Sequence, residues 1–208
     1  MRSTVVRLLG WSGILALTVW AGTRHAGLQN PAVESMDVIR DLPYRSVNGQ
    51  GPKLDVYLPT KDSDRIHHLR PAILLIHGGS WTGGSRAAYQ IDPWRNPTRL
   101  TQYGYVVIGV DYQLGRPGRP SWPEALDDLR AAVRWTRRNA ARYRIDPGRI
   151  ALLGQSSGGH LAMLLGTEPD TSTSEEVSSR VQAVISFYAP ADLRRLSLAR
   201  DSKRDPVA

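Results

Sequence analysis

The chain has 208 residues, no cysteine and a formal net charge of +8 at pH 7. Its length suits one domain with a substantial core, and the absence of cysteine excludes a disulfide framework and a cysteine-ligated metal site. The positive charge alone would favour nucleic acid, but the arginines are scattered or lie on the polar face of a predicted helix. No nucleic-acid-binding motif accompanies them, so we expect no nucleic-acid partner.

The first 23 residues have the layout of a secretory signal peptide. Arg2 and Arg7 give a basic start, residues 8–22 are mostly apolar, and small residues end the stretch. The apolar run is short for a membrane span, which needs about 20 residues. We predict a cleaved signal and a secreted or periplasmic protein, with an uncleaved N-terminal membrane anchor as the alternative.

A polar segment at residues 24–35 is predicted to be a linker, and the domain is predicted to begin at residue 36. Residues 36–45 and 53–58 are typical of strands, and Asn, Gly and Gln at residues 48–51 are typical of a turn. The chain therefore opens with a predicted antiparallel pair. The neighbouring His67 and His68 have no acid or third histidine at a ligand-like spacing, so we expect them in solvent and expect no metal site.

Apolar runs alternate with helical patterns through the rest of the chain. Further strands are predicted at residues 72–76, 105–110, 149–153 and 181–188. Helices are predicted within residues 89–103 and at residues 122–143 and 157–166. Strands that alternate with helices predict a doubly wound, mostly parallel α/β sheet. The segment after residue 193 is polar and basic, with no clear element.

A Gly-x-Ser-x-Gly motif lies between the strand predicted at residues 149–153 and the helix that follows it. A strand that turns into a helix within so few residues needs small side chains on both sides of the apex, and Gly154 and Gly158 supply them. Ser156 would then sit on a strained apex with its hydroxyl exposed, which suits a nucleophile. A glycine-rich turn without chemistry is the alternative, and the flanking strand and helix argue against it.

A second glycine pair follows the strand predicted at residues 72–76, in the run His77-Gly78-Gly79. Glycines leave backbone N–H groups uncovered, so Gly78 and Gly79 can point a donor at a developing oxyanion. The second donor would be the backbone N–H of Ser157, the residue after the nucleophile. The two motifs together predict acyl transfer.

These motifs resemble the α/β-hydrolase superfamily, and within it the His-Gly-Gly esterases that include hormone-sensitive-lipase-like and acetyl-xylan or feruloyl esterase-like enzymes. Further matches lie at residues 53–59, 110–114 and 144–150, and the resemblance runs from about residue 36 to residue 193. It implies a serine carboxylic-ester hydrolase without a cofactor. It also implies that Asp111, in an Asp-Tyr pair, is structural rather than catalytic.

The chain departs from this resemblance in one respect, because no suitable general base for Ser156 follows it in the sequence. The resemblance implies a triad in the order Ser, then Asp or Glu, then His. Only His160 follows Ser156, and it lies on the same predicted helix, pointing away from the apex, as a packing or capping residue. No acid ends a further predicted strand. We therefore expect a C-terminally truncated domain over residues 36–208 that lacks the last strands and helices, and weak or absent turnover.

Two classes of function stay open at this point. The first is ester hydrolysis through an acyl-enzyme on Ser156, acting on small esters or on acyl groups linked to polysaccharide. A peptidase or an arylformamidase is an alternative on the same scaffold. The second class is a non-catalytic binding or scaffold protein, which the missing base favours and the intact serine apex disfavours.

Overall fold

The computed structural model describes residues 36–45, 51–59, 68–92, 95–169 and 177–194. The predicted signal peptide or anchor and the linker lie outside the described residues, as do His67 and most of the turn predicted at residues 48–51. No helix in the described ranges is long and apolar enough to span a membrane. The secreted or anchored state of the protein therefore stays a prediction.

One sheet of six strands forms the centre of the described structure. The strands are β1 (Asp37–Pro43), β2 (Lys53–Leu58), β3 (Arg70–Ile76), β4 (Val106–Val110), β5 (Ile145–Gln155) and β6 (Ala183–Phe187). Their order is β1-β2-β4-β3-β5-β6. β2 pairs antiparallel with β1 and with β4, and the other pairs are parallel. The predicted antiparallel opening and the mostly parallel sheet are confirmed.

Helices cover both faces of this sheet. They are a short 3₁₀ helix (Ala88–Ile91), α1 (Pro97–Gln102), α2 (Glu124–Arg138) and α3 (Ser157–Thr167). Successive residues of β3 alternate between two hydrophobic clusters, because side chains on a strand point to opposite faces. Leu74 packs in the larger cluster with α2 and α3, and Leu75 packs in the smaller one beside α1. This double cover explains the continuous apolar runs of the parallel strands.

The helix predicted at residues 122–143 is shorter than its apolar pattern. It begins at Glu124, because Pro123 is the N-cap residue rather than a residue of the first turn, and it ends at Arg138. The chain then continues in turns, yet Ala140 and Tyr143 stay buried in the larger cluster. The apolar pattern extends beyond the end of the helix because these turn residues still face the core.

The strand before the nucleophile is longer than predicted. β5 begins at Ile145, four residues before the predicted start at residue 149. Its register against β3 shifts between the pair Arg70 and Ile145 and the pair Ala72 and Ile150. The strand is therefore irregular between Ile145 and Ile150, and regular pairing with β3 then runs from Ile150 to Gly154, just before the Ser156 apex.

The first turn of α3 lies directly on the end of β3. A Cβ added at Gly158 would overlap the carbonyl oxygens of Ile76 and His77, and one added at Gly154 would overlap the carbonyl oxygen of Gly158. Both glycines are therefore needed for space, since backbone meets backbone at this point. The contact sets the position of the turn between β5 and α3 relative to the loop that follows β3.

Arg86, Asp41, Asp55 and Asp111 form an ionic group, the Arg86 cluster, that connects the loop after β3 to other strands of the sheet. The Arg86 side chain donates to Asp55 (2.8 Å), to Asp41 (2.6 Å) and to Asp111. The Arg86 backbone N–H also donates to Asp111, over 2.7 Å. Burial disfavours the charge of Arg86, but the hydrogen bonds to Asp55 and Asp111 outweigh it, so its pKa is raised. The cluster joins β1, β2 and the end of β4 to one loop residue.

Replacing Gly158 by alanine is expected to destabilise the protein by about 3 kcal/mol, because the new methyl group must displace two backbone carbonyls. Helix propensity alone predicts the opposite sign, since Gly158 is helical and alanine is favoured there by about 1 kcal/mol. Urea unfolding measures the difference. Gly148→Ala is the matched control in the same strand–helix unit, because its Cβ meets only the Asp146 carboxylate at 3.3 Å. A stabilised Gly158→Ala variant would refute the close contact.

Replacing Arg86 by methionine is expected to cost about 3 kcal/mol of unfolding free energy, because Asp111 loses its guanidinium partner and Asp55, which is only 2% exposed, keeps only the longer contact to Arg40 at 3.3 Å. Arg138→Met at the exposed end of α2 is the control and is expected to stay within about 0.5 kcal/mol of the parent. Denaturant midpoints of the two variants provide the comparison. Equal midpoints would show that the Arg86 cluster contributes no net stability.

Candidate active site

Ser156 stands at the apex between β5 and α3 with an uncommon backbone conformation. Its φ of 52° and ψ of −125° lie outside the regions that a residue other than glycine prefers. Hydrogen bonds hold it from both sides: its N–H donates to the carbonyl of Phe187 over 2.9 Å, and its own carbonyl accepts from the His160 N–H over 3.0 Å. Hydrogen bonds to β6 and from α3 therefore hold a strained, half-exposed serine at the apex.

The glycine pair predicted to provide oxyanion donors lies beside this serine. A Cβ added at Gly78 would be 3.1 Å from the Cβ of Ser156. Gly79 has a φ of 126°, which only glycine adopts without strain. Its carbonyl accepts from the N–H groups of Thr82 and Gly83, both over 3.0 Å. The tight turn points that carbonyl back into the loop.

Three N–H groups are available near the apex. Ser157 is the first residue of α3, so its N–H has no acceptor within the helix. Among the described residues, no hydrogen bond engages the N–H of Ser157, Gly78 or Gly79. Unpaired donors beside an exposed serine hydroxyl can bind the charge that develops on a carbonyl oxygen.

His77 stabilises the glycine loop rather than serving as a base. Its ring stacks on Tyr112 with centroids 4.3 Å apart, and its Nδ1 lies 2.8 Å from the carbonyl oxygen of Gly78. The Tyr112 hydroxyl donates to the His77 carbonyl over 2.9 Å. Burial lowers the pKa of His77 and so disfavours the charged form of the ring. Both side chains fix the backbone that precedes Gly78.

His160 packs edge-on against Trp81, with ring centroids 5.4 Å apart. Burial lowers its pKa, and its Nδ1 has no hydrogen-bond partner among the described residues. This contact is a packing role on α3, and it leaves Ser156 without a base from this histidine. His68, the other histidine of the predicted pair that the structure describes, is exposed. No group of three His, Cys, Asp or Glu side chains suited to a metal occurs in the described part of the chain.

Asp111 belongs to the Arg86 cluster, where both of its carboxylate oxygens accept from Arg86. This arrangement gives it a structural role, as the resemblance implies. Sequence reasoning missed Arg86 itself, because an arginine in a loop carries no local signal for partners that lie 25 and 31 residues away. Pairing patterns across the sheet are needed to find it.

A second missed group borders the apex on the β6 side. The hydroxyl of Tyr188 donates to the side chain of Gln155 over 2.8 Å. The Arg95 guanidinium lies 4.6 Å from the ring centroid of Phe187 and bonds to Asp92. Because Gln155 directly precedes the serine, this group forms one wall next to Ser156. No motif in the sequence marks it, since its members come from three separate segments.

The chain is similar to several known esterases. A family model described as BD-FAE matches residues 54–207. "Probable carboxylic ester hydrolase LipM" of Mycobacterium tuberculosis is 32% identical over 130 residues, which cover 61% of this chain and 29% of that protein. "Ethyl acetate hydrolase" of Pseudomonas putida is 32% identical over 167 residues, covering 79% of this chain and 49% of that protein.

A solved structure supports the same relationship. Esterase Est2 of Thermogutta terrifontis, with propionate bound, is 29% identical with a TM-score of 0.59, and the match covers 84% of this chain and 62% of that one. The same esterase phosphonylated by cyclosarin has a TM-score of 0.58, covering 81% of this chain and 61% of that one. This chain thus spans less than two thirds of each of these relatives. Because the family model covers most of its length, the chain belongs to the BD-FAE family of α/β-hydrolase esterases.

Proposed function

We propose that this chain carries the nucleophile and the oxyanion donors of a serine hydrolase that cleaves carboxylic esters. The observation that carries the proposal is the strained, half-exposed Ser156 beside Gly78, with unpaired N–H groups around it. The chain's similarity to an ethyl acetate hydrolase supports the same reaction class. A pure binding role would require neither the strain nor the free donors.

The proposed reaction begins when a base takes the proton of the Ser156 hydroxyl. The serine oxygen then attacks the ester carbonyl carbon, and the oxyanion is held by the N–H groups of Gly78 or Gly79 and of Ser157. The alcohol leaves with a proton, an acyl-enzyme remains on Ser156, and water releases the acid. Every one of these residues acts through geometry that the backbone fixes in advance.

The described residues do not provide the base that takes the proton in the first step. His77 and His160 are both engaged in packing, and no described side chain bonds to the Ser156 hydroxyl. We therefore propose that the 208-residue chain alone hydrolyses esters weakly or not at all. Oxyanion donors and substrate binding can still leave residual catalysis when a triad member is missing.

The proposed substrates are small esters or acetyl and feruloyl groups linked to polysaccharide. The predicted signal segment supports a secreted or periplasmic location, where such substrates are met, and an N-terminal membrane anchor is the alternative that the same segment supports. Fractionation of the source cells into membrane and soluble extracts, followed by N-terminal sequencing of the protein, would distinguish these locations.

Imidazole added to the solution is expected to raise hydrolysis of p-nitrophenyl acetate by the 208-residue chain about tenfold, because it supplies the missing base without the effective molarity of a tethered one. The rate is taken above a blank that contains imidazole alone. Ser156→Ala is the control and is expected to lose the whole increment. An increment that persists in Ser156→Ala would refute Ser156 as the nucleophile.

Gly79→Ala is expected to lower the imidazole-dependent rate about 100-fold, because the methyl group overlaps the Gly83 carbonyl and turns the oxyanion donors away. Gly83→Ala is the matched control in the same loop, since its Cβ would meet only the Gly79 carbonyl at 3.8 Å. Steady-state rates of both variants, with circular dichroism to check folding, make the comparison. Equal rates would remove Gly79 and its neighbour from the oxyanion site.

A further inference from the structure

Two arginines stand side by side on a short hairpin after β4. The backbone N–H groups of Arg116 and Arg119 each donate to the other's carbonyl, over 2.8 and 2.9 Å. Pro117 and Gly118, the latter with a φ of 76°, suit the central positions of a type II turn. Directly opposed residues of an antiparallel pair project to the same face with Cβ atoms about 5 Å apart. The turn therefore projects the two arginine side chains from neighbouring positions on one face.

These two charges have no counterion in the described structure. Neither Arg116 nor Arg119 takes part in an ion pair or side-chain hydrogen bond there, although many other arginines do. Like charges placed directly opposite each other destabilise a strand pair. An anion bound between the two side chains would turn this repulsion into attraction.

Both exposed arginines line a cavity of about 550 Å³. Arg45, Asp128 and Glu124 also line it. Arg45 pairs with Asp128 over 2.8 Å, and Asp128 also accepts from the backbone N–H of Gln113, so this buried carboxylate is already satisfied. The unpaired charges at the cavity are therefore two arginines and the single carboxylate of Glu124.

The hairpin is attached to the loop that carries the proposed oxyanion donors. Gly115, directly before it, donates its N–H to the carbonyl of Trp81 over 2.8 Å, two residues beyond Gly79. Arg116 also lines a second cavity of about 310 Å³, which His77 and Ser85 border. The hairpin and the glycine loop are thus joined by a hydrogen bond and line one cavity together.

We propose that Arg116 and Arg119 form a subsite for a carboxylate group on an ester substrate. The inference rests on the proposed ester hydrolysis and names its substrate class: esters that bear a second, anionic group, such as an acidic sugar. Guanidinium groups bind carboxylates through paired, charge-assisted hydrogen bonds.

NMR titration of the arginine side-chain N–H groups with glucuronate tests the subsite without any turnover. Saturable shifts are expected at Arg116 and Arg119. The double variant Arg116→Gln/Arg119→Gln is expected to weaken binding about tenfold or more, since charge-assisted hydrogen bonds are lost. Glu124→Gln is expected to tighten binding, because it removes the competing carboxylate from the cavity.

Arg138→Gln/Arg142→Gln is the matched control, since it removes the same net charge from the exposed end of α2 and the turn beyond it. An equal loss of binding in this control would overturn the subsite in favour of a general charge effect. Binding of inorganic phosphate without glucuronate would overturn the carboxylate assignment. Methyl glucoside, a neutral sugar, is expected to leave both arginine signals unmoved, and shifts with it would also overturn the proposal.

Failure of the subsite and failure of the proposed function give different results. Imidazole-dependent hydrolysis of a neutral ester by the unsubstituted chain tests Ser156 chemistry alone. Anion binding without that hydrolysis would refute the proposed function and leave the anion site standing. Hydrolysis without anion binding would refute the subsite and leave ester cleavage at Ser156 in place.

Discussion

The site depends first on a place where two backbones touch without side chains between them. Gly158, in the first turn of α3, lies against the carbonyl groups at the end of β3, and Gly154 lies against Gly158. Because no flexible side chain separates these segments, their spacing is set by covalent geometry and van der Waals radii. The same spacing places Ser156 beside Gly78. The strain at Ser156 persists because the hydrogen bonds on both sides leave the backbone no relaxed alternative.

The second constraint acts on the glycine loop. Gly79, Gly83 and Gly84 give this segment much conformational freedom in the unfolded chain, and ordering it costs correspondingly more entropy. The Arg86 cluster offsets that cost by fixing the far end of the loop to three strand-linked carboxylates. Asp55 is only 2% exposed, and a buried carboxylate needs a cationic partner because water does not stabilise its charge. An exposed carboxylate would have no such need, so the burial of Asp55 makes the contact with Arg86 specific. Loop order and oxyanion geometry are thereby linked to strands far from the serine.

Local sequence patterns predicted those parts of the fold that depend on local forces. The apolar runs identified the strands, and the glycines around Ser156 identified the turn, since both follow from spacing along the chain. The contacts that order the site were missed because they are long-range: Arg86 meets Asp55, and Tyr188 meets Gln155, across different strands. The end of α2 was placed too late for a related reason. Burial of Tyr143 extends the apolar pattern, although the helix itself has already ended.

The described residues separate two requirements of acyl transfer that are usually discussed together. Under the proposed function, the oxyanion is stabilised by backbone N–H groups, whose positions depend on the contacts at Gly158 and Gly79. Proton transfer needs a titratable side chain within hydrogen-bond reach, and it depends on none of those contacts. Because the donors stabilise the transition state more than the ester itself, their contribution is present whether or not a base is tethered nearby. On this proposal, the fold of the described residues preorganises the oxyanion donors, and the rate of turnover depends on the base.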